Sequence, residues 1–383
     1  MSKKGALSGV TVLDLSRLLP GPFCSMILAD HGARVIAIED KKQYAKDGLF
    51  VPNVCRNKEH MTLDLKSAAG QEIFTKLVKD ADVILEGFRP GVVKRLGVDY
   101  DAVRMINPAI VYCSVTGYGQ TGSFSKKAGH DVNYLGYAGI LGLLGEVDRP
   151  PAIPGVQIAD IAGGGMNAAI GILLALFARE KTGKGQHIDI SMTDSMVSLL
   201  PVALLWQQFA GEFPERGNAM LSHRYACYNT YETADGRHMA VGAVENQFWR
   251  TLCEHLGFKE YADKQYDEGK KEEIIAEFRR AFRQKTLSQW EAEFSRIDVC
   301  VSGISTIDEV LSAPLFKERE MVVELPGAAG KPEKTLGVAV KLSETPGSVR
   351  NASIGFGAHT EVILQEYGYT SEQIRQFAQA DVI

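Results

Sequence analysis

The feature that most constrains this chain is the alternation that fills its first 120 residues. Val10-Thr11-Val12-Leu13-Asp14-Leu15 is a short β-branched run. A Gly/Pro loop follows over Leu18 to Pro22, then a helical stretch from Phe23 to His31 closed by Gly32. Arg34 to Ile38 reads as the next strand. A strand, turn, helix and strand of this length form a βαβ unit, which implies parallel pairing. The pattern continues with a helix over 70–81, a strand over 82–86, a helix over 100–106 and a strand over 109–115. Repetition of this kind predicts an α/β fold with an open, Rossmann-like parallel sheet covered by helices. Gly163 to Lys181 reads as a long Gly/Ala-rich helix, 187–191 as a strand and 193–209 as one helix.

The register changes near Gly211-Glu212-Phe213-Pro214. Strands over 228–232 and 237–241 flank Ala234-Asp235-Gly236 as a hairpin. Helices follow at 245–256, 270–283 and 287–296, and the last at 360–367. The expected organisation is a large α/β domain over 1–210, a linker over 211–224 and a smaller α/β domain over 225–325. Residues 326–383 return to complete the large domain.

Composition narrows the function. With 42 basic and 47 acidic residues the net charge is −5, without the basic excess of a nucleic-acid binder. Neither a secretory signal nor a C-terminal peroxisomal address is visible. The longest apolar stretch, Ala168 to Ala178, is shorter than the roughly 20 residues a membrane span needs. No cysteine pair or Cys/His spacing suggests a metal. A cytoplasmic protein with reduced thiols and no membrane or nucleic-acid partner is expected.

The turn after the first strand, Leu18-Leu19-Pro20-Gly21-Pro22, sits where a dinucleotide fingerprint would. It is not G-x-G-x-x-G, and its prolines remove backbone donors that would cradle a pyrophosphate. Basic residues nevertheless gather between the strands: Lys41-Lys42, Arg56 with Lys58 and Lys66, and Arg89 with Lys94-Arg95. Such clusters suit a phosphorylated ligand or an ordinary solvated surface.

Three residues stand out as chemical candidates. His130, in Ala128-Gly129-His130-Asp131-Val132-Asn133-Tyr134, follows a glycine that would let its ring face a cavity, and histidine titrates near neutrality. Asp160 precedes a Gly-rich helix, where it is either an N-cap or a carboxylate aimed into a cleft beside backbone N–H donors. Glu245 ends a strand and enters a helix, either as a dipole-favoured carboxylate or as a group that orients a histidine.

These motifs resemble the family III coenzyme A transferases and α-methylacyl-CoA racemases. The resemblance runs through Leu18 to Lys42, Arg56 to Lys66, Glu86 to Gly97, Ser114 to Asp131, Pro154 to Gly165, Thr182 to Asp194, Asp235 to Glu245 and Gly357 to Glu361. It implies an interlocked homodimer acting on an acyl-CoA thioester, with coenzyme A as part of the substrate and no separate cofactor. It implies coenzyme A contacts at Lys41, Arg56, Leu63, Lys66, Arg89 and Arg95, and a substrate pocket including Tyr134 and Met220. Catalytic roles fall on His130, Asp160, Glu245 and Asp131, a G-H-D-x-N-Y and G-A-x-E combination that resembles the racemase branch. There, His130 and Asp160 would pass a proton at the 2-methyl carbon. In the transferase branch, Asp160 would be the nucleophile that forms an acyl anhydride.

Overall fold

The β-branched runs read from the sequence pair as parallel strands. In the computed structural model, which describes residues 5–47, 51–326 and 332–383, they are β1 (Thr11–Asp14), β2 (Arg34–Glu39), β3 (Glu59–Thr62), β4 (Val83–Glu86), β5 (Val111–Thr116) and β6 (His187–Ser191). Every pairing is parallel and the spatial order is β3-β2-β1-β4-β5-β6. The order reverses between β1 and β4. Open α/β sheets bind ligands at such a switch point, outside the carboxyl ends of the strands.

The first turn solves its geometry without the usual glycines. Leu18 takes φ = +67°, and α1 (Pro20–Asp30) begins on Pro20. Proline is well placed there because its missing N–H has no intrahelical partner to lose. Ser67 caps α2 (Ala68–Asp80) by accepting from Gly70 N–H. The buried face of α2, with Ile73, Phe74 and Leu77, packs on Leu13, Ile36 and Ile84 of the sheet. Each such side chain contributes about 1.5–3 kcal/mol by leaving water.

The chain divides into two compact units. The large unit comprises Met1–Ala138, Pro154–Ser198 and Ala313–Ile383. The small unit comprises Gly139–Ile153 and Leu199–Ser312, so it takes in 139–153 and 199–210, which the sequence assigned to the large domain. The reason is visible at residues 193–209. They form two helices, α5 (Met192–Val197) and α6 (Pro201–Ala210), because Pro201 cannot continue the preceding helix. Within the small unit, Leu200, Leu205 and Trp206 then line an apolar cavity with Ile140, Leu143 and Leu144.

The small unit carries the expected hairpin, β7 (Tyr228–Glu232) with β8 (His238–Gly242), extended by β9 (Val301–Gly303). Its core is aromatic. Trp249 stacks on Phe278 at 5.2 Å, and Tyr231 stacks on Phe282 at 4.9 Å. The Gly/Pro/Lys-rich return after Leu325 passes through residues 327–331, which lie outside the described residues.

One helix differs from expectation in a way that matters for the site. Residues 159–182 form a continuous run: a π-helical stretch over Ala159–Met166, then α4 (Asn167–Thr182), with α3 (Asp131–Tyr137) packed beside the π-helical stretch. At 24 residues the run is long and apolar enough, by length and composition, to cross a membrane, unlike the shorter stretch read from the sequence. Gly163, Gly164 and Gly165 are all buried, Gly163 against α5, Gly165 against α1 and Gly164 between the two. A Cβ on Gly164 would stand 2.7 Å from Pro20 Cβ, so only glycine permits this approach. Further along, α4 exposes Ile170, Leu174 and Phe177.

Candidate active site

His130 and Asp160 are brought together in the large unit by α3 and the π-helical stretch. His130 is the N-cap of α3, where its backbone N–H donates to Asn133 Oδ1 at 3.0 Å. The loop before it is braced and is no free hinge. Tyr134 is buried, its hydroxyl donates to Gly129 O at 2.5 Å, and its ring lies 2.7 Å from where a Gly129 Cβ would be. The ring also meets Tyr118 edge-on at 5.3 Å. Tyr134, which the sequence assigned to the substrate pocket, therefore braces the loop that carries His130. The His130 ring itself is exposed.

Asp160 is not a helix N-cap. It is the second residue of the helical run, half-buried, and its own N–H donates to Asp131 Oδ1 at 2.9 Å. The next amide, Ile161 N–H, donates to Gln157 O at 2.9 Å. These two donors are thus committed inside the protein and are not oxyanion ligands as the sequence reading had them. Burial pushes the Asp160 carboxyl up to about 6, the Asp131 charge pushes it in the same direction, and a charge on His130 pulls it down. π-Helical turns recur at functional sites, and here one carries the carboxylate.

The basic residues separate into different places. Lys66, Arg95 and Leu63 line one cavity of about 290 Å³, together with Arg17 and Phe88. It opens at the carboxyl ends of β1, β2, β3 and β4, across the switch point. Arg17 was missed from the sequence, although its place directly before the Leu18 turn puts it at a strand end. Arg89 is exposed, and its charge acts on the Tyr134 hydroxyl, which places it toward His130. Lys41 lies instead in a neighbouring cleft, its Nζ 3.5 Å from Ile383 O.

Arg56 corrects the sequence reading. It is 4% exposed, with Nε and one terminal nitrogen donating to Asp30 at 3.1 and 2.6 Å. Its remaining donors reach Leu336 O and Gly337 O. The guanidinium ties α1 to the return segment and is closed to a phosphate.

Glu86 was not foreseen. It ends β4 at 1% exposure, its Oε2 accepts Phe88 N–H at 2.7 Å, and burial pushes its carboxyl up to about 7. The bond shapes the turn that presents Arg89. An acid ending the apolar run Val83-Ile84-Leu85 was the available signal.

The remaining candidates belong to the small unit. Glu245 is the exposed N-cap residue of α7 (Asn246–Leu256), its carboxylate making no capping bond. Met220 lines the apolar cavity of about 510 Å³.

CoA-transferase family III matches this chain over residues 7–360. Human α-methylacyl-CoA racemase is 38% identical over 381 residues, 99% of this chain and 97% of that protein. The succinyl-CoA–D-citramalate CoA-transferase of Chloroflexus aurantiacus is 30% identical, covering 98% of each chain. The crystal structure of a CAIB/BAIF family protein from Brucella suis matches with a TM-score of 0.82 at 29% identity, covering 95% of this chain and 100% of that one.

Proposed function

The chain belongs to CoA-transferase family III, and on that premise we propose that it racemises the 2-methyl carbon of 2-methylacyl-CoA thioesters by 1,1-proton transfer. The supporting observation is the convergence of an imidazole and a carboxylate, with the Asp160 proton held near neutrality. Two groups of similar proton affinity can each serve as acid or base at one working pH. A buried aspartate left at the ordinary carboxylate range would be a poor proton donor at pH 7.

In the proposed reaction one of His130 and Asp160 takes the α-proton. The C–H electron pair passes into an enolate, with the negative charge on the thioester oxygen. The other group, already protonated, donates to the opposite face, and the electron pair returns to carbon. The proton has then changed hands between the two side chains, and exchange with solvent restores the starting form. Coenzyme A enters and leaves with the acyl group, so no separate cofactor takes part. Lys66 and Arg95, with Arg17, hold its phosphates at the sheet switch point. Glu245 is the group proposed to orient His130, and the protein is proposed to be a cytoplasmic homodimer whose second copy covers Ile170, Leu174 and Phe177.

The test is a chiral 2-methylacyl-CoA in heavy water with no acceptor acid. Deuterium enters the α-carbon and the optical purity decays, while His130→Ala loses both and still binds coenzyme A. Full-rate exchange by His130→Ala would overturn the assignment. A second reading draws on the relatives that carry transferase names and on the half-buried Asp160 carboxylate, the one nucleophile that chemistry needs. It predicts product only when a free carboxylic acid is supplied.

A further inference from the structure

We infer that Asp131 is a positioning residue, whose carboxylate fixes the Asp160 backbone and sets a second negative charge beside the Asp160 carboxyl. The inference deepens the racemase reading and rests on it for its kinetic test, though not for its titration test.

The geometry is specific. Asp131 occupies the first turn of α3, directly after His130, and Oδ1 accepts the Asp160 amide at 2.9 Å. One short bond thus couples the segment that carries the imidazole to the segment that carries the carboxylate. It also sets two acidic residues side by side without a hydrogen bond between their carboxyl groups. Like charges held close disfavour full ionisation of both.

Other groups around Asp160 do not supply this effect. On α3 they are His130, whose charge acts in the opposite sense, and Tyr134, whose hydroxyl is spent on Gly129 O. From α1 and α5, the side chains nearest the three glycines of the π-helical stretch are Pro20, Phe23, Met192, Ser195 and Met196, none of which titrates. On β6, Asp189 accepts Gln120 N–H and His187 faces Ser114 Oγ. Arg89 acts on Tyr134 from the loop after β4. Asp131 is therefore the neighbouring charge that raises the proton affinity of Asp160, on top of burial.

Asp131→Asn separates its two duties. Asparagine retains an oxygen that accepts the Asp160 amide but loses the charge. Carboxyl-¹³C aspartate labelling, with the Asp160 signal identified by its loss in Asp160→Asn, reads the titration directly. The wild-type midpoint lies near 6 and that of Asp131→Asn falls by about one pH unit. In the deuterium-exchange assay the acidic limb of kcat/KM moves down by the same amount, reported as a property of the coupled pair. Asp131→Ala, lacking the amide acceptor as well, loses kcat beyond the asparagine variant. An unchanged Asp160 midpoint in folded Asp131→Asn overturns the inference. A midpoint that falls while the acidic limb stays in place preserves the inference and refutes Asp160 as the proton carrier. A purely structural role would lower kcat without moving either.

Discussion

Asp160→Asn should make this protein more stable at pH 7 while abolishing proton transfer. The argument starts from linkage. The Asp160 carboxyl titrates near 6 in the folded chain and near the ordinary 3.8 when unfolded. Below pH 3.8 it is protonated in both states and costs nothing. Between 3.8 and 6 the unfolded chain releases its proton first, so the fold loses stability as the pH rises. Above 6 the loss is complete. Roughly two pH units at 1.36 kcal/mol each give an upper bound of about 3 kcal/mol. Because the side chain is only half-buried, solvent screening reduces this to about 1–2 kcal/mol. Asparagine has nearly the same shape, keeps the N–H that donates to Asp131 and carries no charge. Thermal unfolding of both proteins from pH 3.5 to pH 8 checks the claim. The stability gap should open between pH 4 and 6 and stay level above 7, with the variant higher by a few degrees. A gap independent of pH, or a variant less stable at pH 7, would refute the claim that an ionised carboxylate is held at a cost.

Arg56→Met should lower stability by about 3–5 kcal/mol, because Asp30 is left buried without its partner, yet leave KM for the thioester unchanged. Denaturant titration and steady-state kinetics read the two halves; a large rise in KM without loss of stability would return Arg56 to the ligand site. The pair Lys66→Ala and Arg95→Ala should do the reverse, raising KM about tenfold or more each with little change in melting, since both side chains are exposed at the strand-end cavity. Gly164→Ala places a methyl group 2.7 Å from Pro20 Cβ and should cost about 1–3 kcal/mol, with exchange activity falling as the π-helical stretch shifts; an unaffected variant would show that α1 can yield there.

The inner strands of the large sheet were legible because they are buried on both faces and read as continuous apolar, β-branched runs. The edge strand β3 was not, since Glu59-His60-Met61-Thr62 is half polar. Its pairing depends on tertiary partners, among them His359 Nδ1, which accepts His60 N–H. Helix periodicity carried no warning of the π-helical stretch, because Gly-rich sequence has no apolar stripe to reveal its winding. His130 and Asp160 were recognisable as residue types, but their separation by 30 positions gave no sign that a hydrogen bond from the Asp160 amide to Asp131 joins the two segments. Arg56 misled for the opposite reason. A basic residue between strands looks the same in sequence whether it faces solvent or a buried aspartate, and only burial distinguishes them.

The same packing that makes Asp160 costly makes it useful. Three adjacent glycines let the π-helical stretch sink against Pro20, Phe23 and Met192, which strips water from the carboxylate and raises its proton affinity. Asp131 raises it further while fastening the backbone. Neither feature would be retained for stability alone, since a neutral side chain at 160 would fold better. The tension resolves if the protonated acid is itself the working state. A carboxyl group that is half ionised near pH 6 can both take and give a proton at a working pH near neutrality. The same loss of water would also sharpen the carboxylate as a nucleophile, the role that anhydride formation would ask of it. What separates the two uses is the second group: proton transfer needs His130 beside Asp160, and anhydride formation needs the carboxylate alone.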